Sequence, residues 1–420
     1  MENPKIRFKG YTKDWEQRKL GEVCSRVQGN DGRMNLPTLT ISAANGWMNQ
    51  EDRFSGNIAG KEQKNYTLLH KGELSYNHGN SKLAKYGTVF SLQSYKEALV
   101  PRVYHSFKVE EGSPDFLEYY FATKLPDREL GKLISSGARM DGLLNIGYNE
   151  FMGIQMLFPS VEEQKQISNY FRNLDTLITL HQRKCEQTKK LKKYMLQKMF
   201  PQNGAKVPEI RFDGFTYDWE QRKLGEFVKE GILEAPLDGN HGEKHPTSDE
   251  YVDSGIPFLM ASDIHNGEVN IYSCKYITKE RAERLDKGFA RNGDVLLTHK
   301  ATIGETAILS NLMTEYAMLT PQVTYYRIKN EERLNREYLY SFFNSLDFQT
   351  ELKTKAAQST RPYIGITAQQ NLKIILPAEI DEQIRIGLYF RNLDHLITLH
   401  QRKCDELKKM KKYMLQNMFI

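Results

Sequence analysis

The chain is written twice, and that repeat constrains its fold before any other feature does. Residues 4–23 read PKIRFKGYTKDWEQRKLGEV and return as PEIRFDGFTYDWEQRKLGEF at 208–227, with 15 of 20 positions identical at an offset of 204. Residues 163–200 return at 382–419 with 28 of 38 identical, at an offset of 219. Between these pieces, residues 24–158 and 228–376 share only faint echoes. Drift after a duplication should not spare a frame while scrambling what it encloses. Two like scaffolds presenting two different surfaces account for both facts.

The longer repeat predicts a helix. Segment 163–200 has neither Pro nor Gly and is rich in Leu, Lys, Gln and Met, which are good helix formers. Ile167, Phe171, Leu174, Ile178, His181, Cys185, Thr188 and Met195 step by threes, fours and sevens, matched by Ile386, Phe390, Leu393, Ile397, His400, Cys404, Leu407 and Met414. This heptad-like seam predicts two rods that pack as an antiparallel pair, with packing on separate domains as the alternative. Pro159 and Pro377 precede the rods, and Pro201 and Gly204 end the first. His181 with Cys185 and His400 with Cys404 are i, i+4 pairs on the seams. Brought together they could form a Cys2His2 zinc site; a semi-polar layer that fixes register is the plainer reading, and no metal ligand is assigned.

Charge and motifs exclude several classes. Lys and Arg number 59 against 53 Asp and Glu, a formal charge of +6. The two rods hold +6 and +4, so the rest sums to −4. Any nucleic-acid contact outside the rods must therefore use local patches or charge supplied by partners. The Lys-rich ends Leu191–Gln197 and Met410–Gln416 read as solvated faces before docking surfaces. No apolar run is long enough to span a membrane, and no secretory leader is evident. The four cysteines form no CxxC. A cytoplasmic protein with no membrane partner is expected. There is no GxxxxGK[ST] loop, since Gly56–Lys61 has the wrong spacing; no GxGxxG; and no Asn-Pro-Pro-aromatic methyltransferase signature. Asp347 with Glu351-Leu352-Lys353 superficially resembles nuclease carboxylates but falls in a helical pattern. The chain reads as non-catalytic.

Two variable inserts, each opened by DWEQRKLGE and closed by an EQ…YFRNLDxLITLHQRKCxxxKKxKKYMLQ helix, resemble the specificity (S) subunit of type I restriction-modification systems over essentially the whole chain. The resemblance implies an α+β fold. Two globular target-recognition domains of mixed α/β type would be joined by two long antiparallel helices in a pseudo-twofold arrangement. The expected layout is recognition domain 1 at 1–159, spacer helix 1 at 160–200, a linker at 201–207, recognition domain 2 at 208–377 and spacer helix 2 at 378–420. Each domain would read one half of a bipartite double-stranded DNA target. The helices would dock two methyltransferase (modification) subunits, with restriction (motor and nuclease) subunits added. No cofactor is expected on this chain; S-adenosylmethionine, ATP and magnesium would belong to the partners. A non-catalytic scaffold whose two domains bind protein ligands is the alternative, and the −4 outside the rods favours it mildly.

Within that resemblance, Lys71-Gly72-Glu73-Leu74 and Asn292–Leu296 look like the family's turn into a strand. The polar stretches that follow supply candidate DNA contacts: Asn77, His78, Asn80, Ser81 and Lys82 in one half, His299, Lys300 and Thr302 in the other. Later loops add Arg139, and Ser359, Thr360, Arg361 and Tyr363. Asn, His, Lys and Arg can hydrogen-bond base edges, whereas Ser and Thr suit phosphates. Ser42–Trp47 and Ser262–Gly267 are further loop candidates.

Overall fold

The structure is a computed structural model and describes residues 3–54, 60–79, 81–134, 143–202, 204–357 and 362–420. Each rod is one helix of 38 residues, Val161–Lys198 and Ile380–Asn417, about 57 Å long at 1.5 Å per residue. The chain folds as two compact units, residues 1–181 with 402–420 and residues 182–401. Each unit thus takes one insert and half of each rod, so the contacts group the chain differently from the linear order of domain, helix and linker.

In the first unit the frame strand Glu16–Lys19 pairs antiparallel with Gln155–Phe158, which closes the insert on itself beside the rod. The insert holds a four-stranded antiparallel sheet in the order Cys24–Arg26, His105–Val109, Leu74–Asn77, Thr88–Ser91. Strands Leu39–Ser42 and Gly46–Asn49 pair, as do Thr67–His70 and Glu97–Val100. Helix Pro114–Ala122 starts with Pro at its first position and the Ser113 hydroxyl accepting from the Phe116 N–H, the favoured chemistry for a helix entrance.

The second unit repeats this plan with different sequence. Glu220–Lys223 pairs with Lys373–Leu376. Its antiparallel sheet has the order Leu237–Asp238, Val323–Tyr326, Val295–Lys300, Thr302–Ile308, strand for strand the order of the first unit. A second sheet runs Lys275–Ile277, Ile256–Leu259, Ala317–Leu319, Phe289–Ala290, and hairpin Ile264–His265/Glu268–Val269 turns at Asn266 and Gly267, both with positive φ.

The rod halves run antiparallel inside each unit. In the first, Phe171 packs on Phe419, while Asp175 accepts from Lys411 Nζ at 2.6 Å and from Tyr119 Oη at 2.7 Å. In the second, Phe390 packs on Phe200, while Asp394 accepts from Lys192 Nζ at 2.5 Å and from Tyr340 Oη at 2.9 Å. The seam residues Ile167, Phe171, Leu174 and Ile178 are buried, as their spacing requires. Gly387 lies where the second rod approaches helix Arg336–Phe343: a Cβ there would stand 2.6 Å from Glu337 Cβ and 2.7 Å from the Tyr338 backbone nitrogen.

The rod tails complete the cores. Phe419, 4% exposed, is surrounded by Trp15, Phe116, Tyr120 and Phe171; Phe200, its twin, by Trp219, Tyr338, Phe342 and Phe390. Phe419→Ala should destabilise the first unit by about 3–5 kcal/mol through lost burial and the cavity left behind. Urea titration of the full chain checks this. A loss below about 0.5 kcal/mol, the range of an ordinary surface change, would mean the tail does not anchor the core.

Candidate nucleic-acid interface

The polar loops singled out in the sequence lie at one end of the four-stranded sheet in each unit. In the first unit, residues 78–87 connect Leu74–Asn77 to Thr88–Ser91. The chain arriving from the later candidate loop is stitched beside them: Gly79 bridges Leu143, and the Leu144 N–H donates to the His78 carbonyl at 2.9 Å. In the second unit the equivalent hairpin turns tightly at Ala301, with φ at +67°. There Lys300 bridges Tyr363, and the Ile364 N–H donates to the His299 carbonyl at 3.2 Å. The structure therefore brings the flanks of both candidate loops together in both units. Asn80, Arg139, Ser359, Thr360 and Arg361 themselves lie outside the described residues.

The side chains divide into two groups. Lys82, Ser81, Lys300 and Thr302 are exposed, and Tyr363 is half-exposed with Lys300 Nζ 6.0 Å above its ring. Ser81 also accepts from the Ala84 N–H at 3.1 Å, which holds the turn at Ser81–Ala84. The histidines face inward and correct the expectation that they meet DNA. His78 is buried, its Nδ1 2.7 Å from the Leu144 carbonyl and its Nε2 2.9 Å from the Val103 carbonyl. His299 is fully buried, and its Nδ1 donates to the Ile364 carbonyl at 3.0 Å. Each ring ties the hairpin to the returning chain and offers no free edge to a base. Asn77 is likewise engaged, its amide on the Ile41 carbonyl and its oxygen accepting from the Gly79 N–H. In Ser262–Gly267 the side chains of Ser262, His265 and Asn266 are exposed, while Gly267 lies against Tyr340, whose Oη would stand 2.3 Å from a Cβ there.

A buried carboxylate backs the second hairpin. Burial opposes the charge on Asp238, but the Lys287 ammonium and His241, whose Nε2 lies 2.8 Å away, hold its carboxyl below the usual range. His299 Nε2 lies 4.0 Å from the same carboxylate. Between this group and the solvent, a cavity of about 450 Å³ is lined by His241, His245, Tyr251, Lys300, Thr320 and Gln322.

Sequence reasoning passed over several exposed cations at this end of the first unit: Arg26, Lys85 and Arg102. It also passed over Gln322 of the second unit, whose carbonyl meets the hairpin histidine as that of Val103 does in the first. Among the described residues no group of three or more His, Cys, Asp or Glu side chains is placed to hold a metal ion. Both seam cysteines are buried: Cys404 lies in the apolar core of the first unit, and the Cys185 thiol in the second lies 3.8 Å from the Ile397 carbonyl and from Gln401 Oε1. Glu351 pairs with Lys355 on helix Leu346–Ala356, the solvated arrangement expected there. No helix among the described residues is long and apolar enough to cross a membrane.

With this geometry in place, similarity to known proteins is informative. The fold is that of the S subunit of a type I restriction-modification system from M. genitalium, whose crystal structure superposes with a TM-score of 0.64 over 100% of this chain and 99% of that one at 14% identity. Residues 217–409 match the type I restriction modification DNA specificity domain. The type I restriction enzyme MjaVIII specificity subunit of Methanocaldococcus jannaschii is 24% identical over 72% of this chain and 68% of its own length. The MjaIX specificity subunit of the same organism is 27% identical over 41% of this chain and 38% of its own length. Over most of its length the chain is similar to type I restriction-modification specificity subunits.

Burial of His299 has a measurable consequence. Desolvation is the largest influence and pushes its imidazole down to about 4, against the pull of Asp238, whereas an unfolded histidine titrates near about 6.5. The neutral ring thus contributes stability in full above the unfolded value, and this is lost as pH falls through the folded one. Acidification from pH 7 to 5 should remove about 2 kcal/mol on this account. His299→Asn keeps a donor for the Ile364 carbonyl and should flatten that slope in urea titrations at the two pH values. Equal slopes in both proteins would show that His299 is not held neutral.

Proposed function

We propose that each unit reads one half of a bipartite double-stranded DNA target through the hairpin end of its four-stranded sheet. One observation carries this reading. Both units build the same sheet in the same strand order, yet end it differently, with a ten-residue connection at 78–87 against a turn at Ala301. A shared scaffold with two dissimilar polar edges suits a protein that must recognise two different sequences in one way. Exposed Lys82, Lys85, Arg26 and Arg102 in the first unit, and Lys300 in the second, provide the local cations that phosphate contacts need.

The chain itself holds no catalytic role in this reading. S-adenosylmethionine, ATP and magnesium act on partner subunits, and the assembly works in the cytoplasm. Two methyltransferase subunits dock on the rods, with restriction subunits beyond them. Exposed side chains support the number two. Leu177, Leu180, Leu191 and Tyr194 are exposed on the first rod and Leu396, Leu399, Met410 and Tyr413 on the second. On each rod these form two exposed apolar pairs on one face, separated by the polar Lys184 and Gln187 on the first and Lys403 and Glu406 on the second. The same face twice on one chain suits two copies of one partner.

A gel-shift assay with the chain and its modification subunit co-expressed tests the DNA role: a sequence-selective shift is expected, and its absence would favour a protein scaffold. The double variant Leu177→Asp/Leu180→Asp should lower the number of modification subunits bound, and Leu396→Asp/Leu399→Asp should do likewise. Native mass spectrometry reads the stoichiometry. Unchanged assembly in all variants would place the docking surface elsewhere.

A further inference from the structure

His78 and His299 are the same residue of the two inserts, each the sixth after the glycine that opens its strand, Gly72 and Gly293. Each carbonyl accepts from the returning chain, from the Leu144 and the Ile364 N–H. Their rings are held differently. His299 Nδ1 donates to the Ile364 carbonyl at 3.0 Å, and its buried Nε2 has no hydrogen-bond partner. One donor is enough there, and the ring is neutral. His78 instead faces a carbonyl at each nitrogen, Leu144 at 2.7 Å from Nδ1 and Val103 at 2.9 Å from Nε2. A carbonyl oxygen only accepts, and a neutral imidazole carries a single N–H. In the neutral form one ring nitrogen of this buried side chain, 7% exposed, would turn its lone pair on a carbonyl oxygen at hydrogen-bond distance. Both bonds form together only when both nitrogens are protonated, and the ring is then a cation.

The surroundings hold that cation only by these two bonds and by its ring neighbours. His105 stacks on His78 at 5.0 Å with 19° between the rings. It spends one nitrogen on the Ile146 carbonyl at 2.8 Å, and burial, the largest influence, pushes its imidazole down, so it is the neutral member of the stack. Tyr76 flanks His78 at 6.0 Å, and Tyr148 stands edge-on to His105 at 5.7 Å. The charges nearby are Arg26, over the Tyr148 ring at 4.4 Å, Arg102 on the turn before Val103, and Asp127 on the side of Tyr76. Among the described residues no carboxylate pairs with His78. Nothing else fixes its proton.

We infer that His78 is a positioning residue that acts as an imidazolium, clamping the first reading loop between the returning chain at Leu144 and the turn at Val103, so that recognition of one half site depends on its proton. Loss of the proton gives up one of the two bonds and frees the loop on that side. The second unit needs no such proton: the His299 backbone N–H donates to the Gln322 carbonyl at 2.9 Å, and the ring has only the Ile364 carbonyl to satisfy. The two half sites therefore respond differently to pH. The inference rests on the DNA-reading function proposed above and adds how one half of it is controlled.

The test uses the full chain assembled with its modification subunit and the target mapped from methylated sites. Binding is compared on that target and on duplexes with one or the other half site scrambled, which gives the discrimination at each half. The two conditions are about pH 6 and about pH 8.5, on either side of about 6.5, where histidine ordinarily titrates. Discrimination at one half site should fall roughly ten-fold on going to the higher pH, the scale of one hydrogen bond to a charged group. The other half site should keep its value. His78→Gln, which cannot donate at both places, should show the lower discrimination at both pH values, and His299→Asn should leave the pH dependence in place. Nitrogen-15 labelling of the histidines in the full chain reads the proton directly: both His78 nitrogens should be protonated at about pH 6. A neutral His78 ring there, equal discrimination at both pH values, an equal fall at both half sites, or a slope that survives in His78→Gln overturns the inference while leaving the DNA-reading function standing. The asymmetry between half sites is read on the unaltered chain, so the test stands even if His78→Gln does not fold. The reading function fails separately, if the unaltered complex shows no sequence-selective binding at either pH.

Discussion

A buried two-pronged ion pair ties the repeated frame to the repeated rod, and it is made twice. Arg7 donates through Nε and Nη2 to the Glu163 carboxylate at 2.7 and 2.8 Å; Arg211 does the same to Glu382 at 2.7 and 2.8 Å. Both glutamates are 1% exposed, so loss of either arginine would leave a buried charge unpaired, a loss typically of about 3–5 kcal/mol. The glutamates lie in the first turn of each rod. Each pair therefore fixes where the rod starts relative to the frame strand, and the frame strand in turn pairs with the last strand of the insert.

From that anchor the reading end follows. The closing strands, Gln155–Phe158 and Lys373–Leu376, fix the end of each insert, and the short helices before them, Tyr148–Met152 and Ile366–Gln370, begin after Gly147 and Gly365. Just upstream, the chain passes the hairpin and is bonded to it through His78 and His299. The histidines thus transmit the position of the frame to the hairpin. At the reading end the two units differ in the side chains and the connection length beyond these histidines.

The repeated parts were legible in the sequence because their signals are local. A 38-residue helix carries its seam as periodicity, and DWEQRKLGE recurs almost unchanged. The sheets were not legible: strands of two to seven residues are set by pairing with distant segments, and the two inserts reach one strand order by different sequences. The histidines were misread for a physical reason. A polar residue following a strand looks like an exposed loop, and only the structure supplies the Leu144, Val103 and Ile364 carbonyls that bury it. Arg102 and Gln322 were missed because neither lies in a local motif. The seam pairs His181–Cys185 and His400–Cys404 were left open in the sequence; both cysteines are buried, Cys404 in the apolar core of the first unit.

The central claim is that two like frames hold two independent reading ends. The most direct measurement is to replace residues 24–158 with the insert of another family member, co-express the hybrid with the modification subunit and map methylated positions across the genome by long-read sequencing. The account predicts that one half site changes to that of the donor while the other half site stays as it was. A change in both half sites, or in neither, would contradict it.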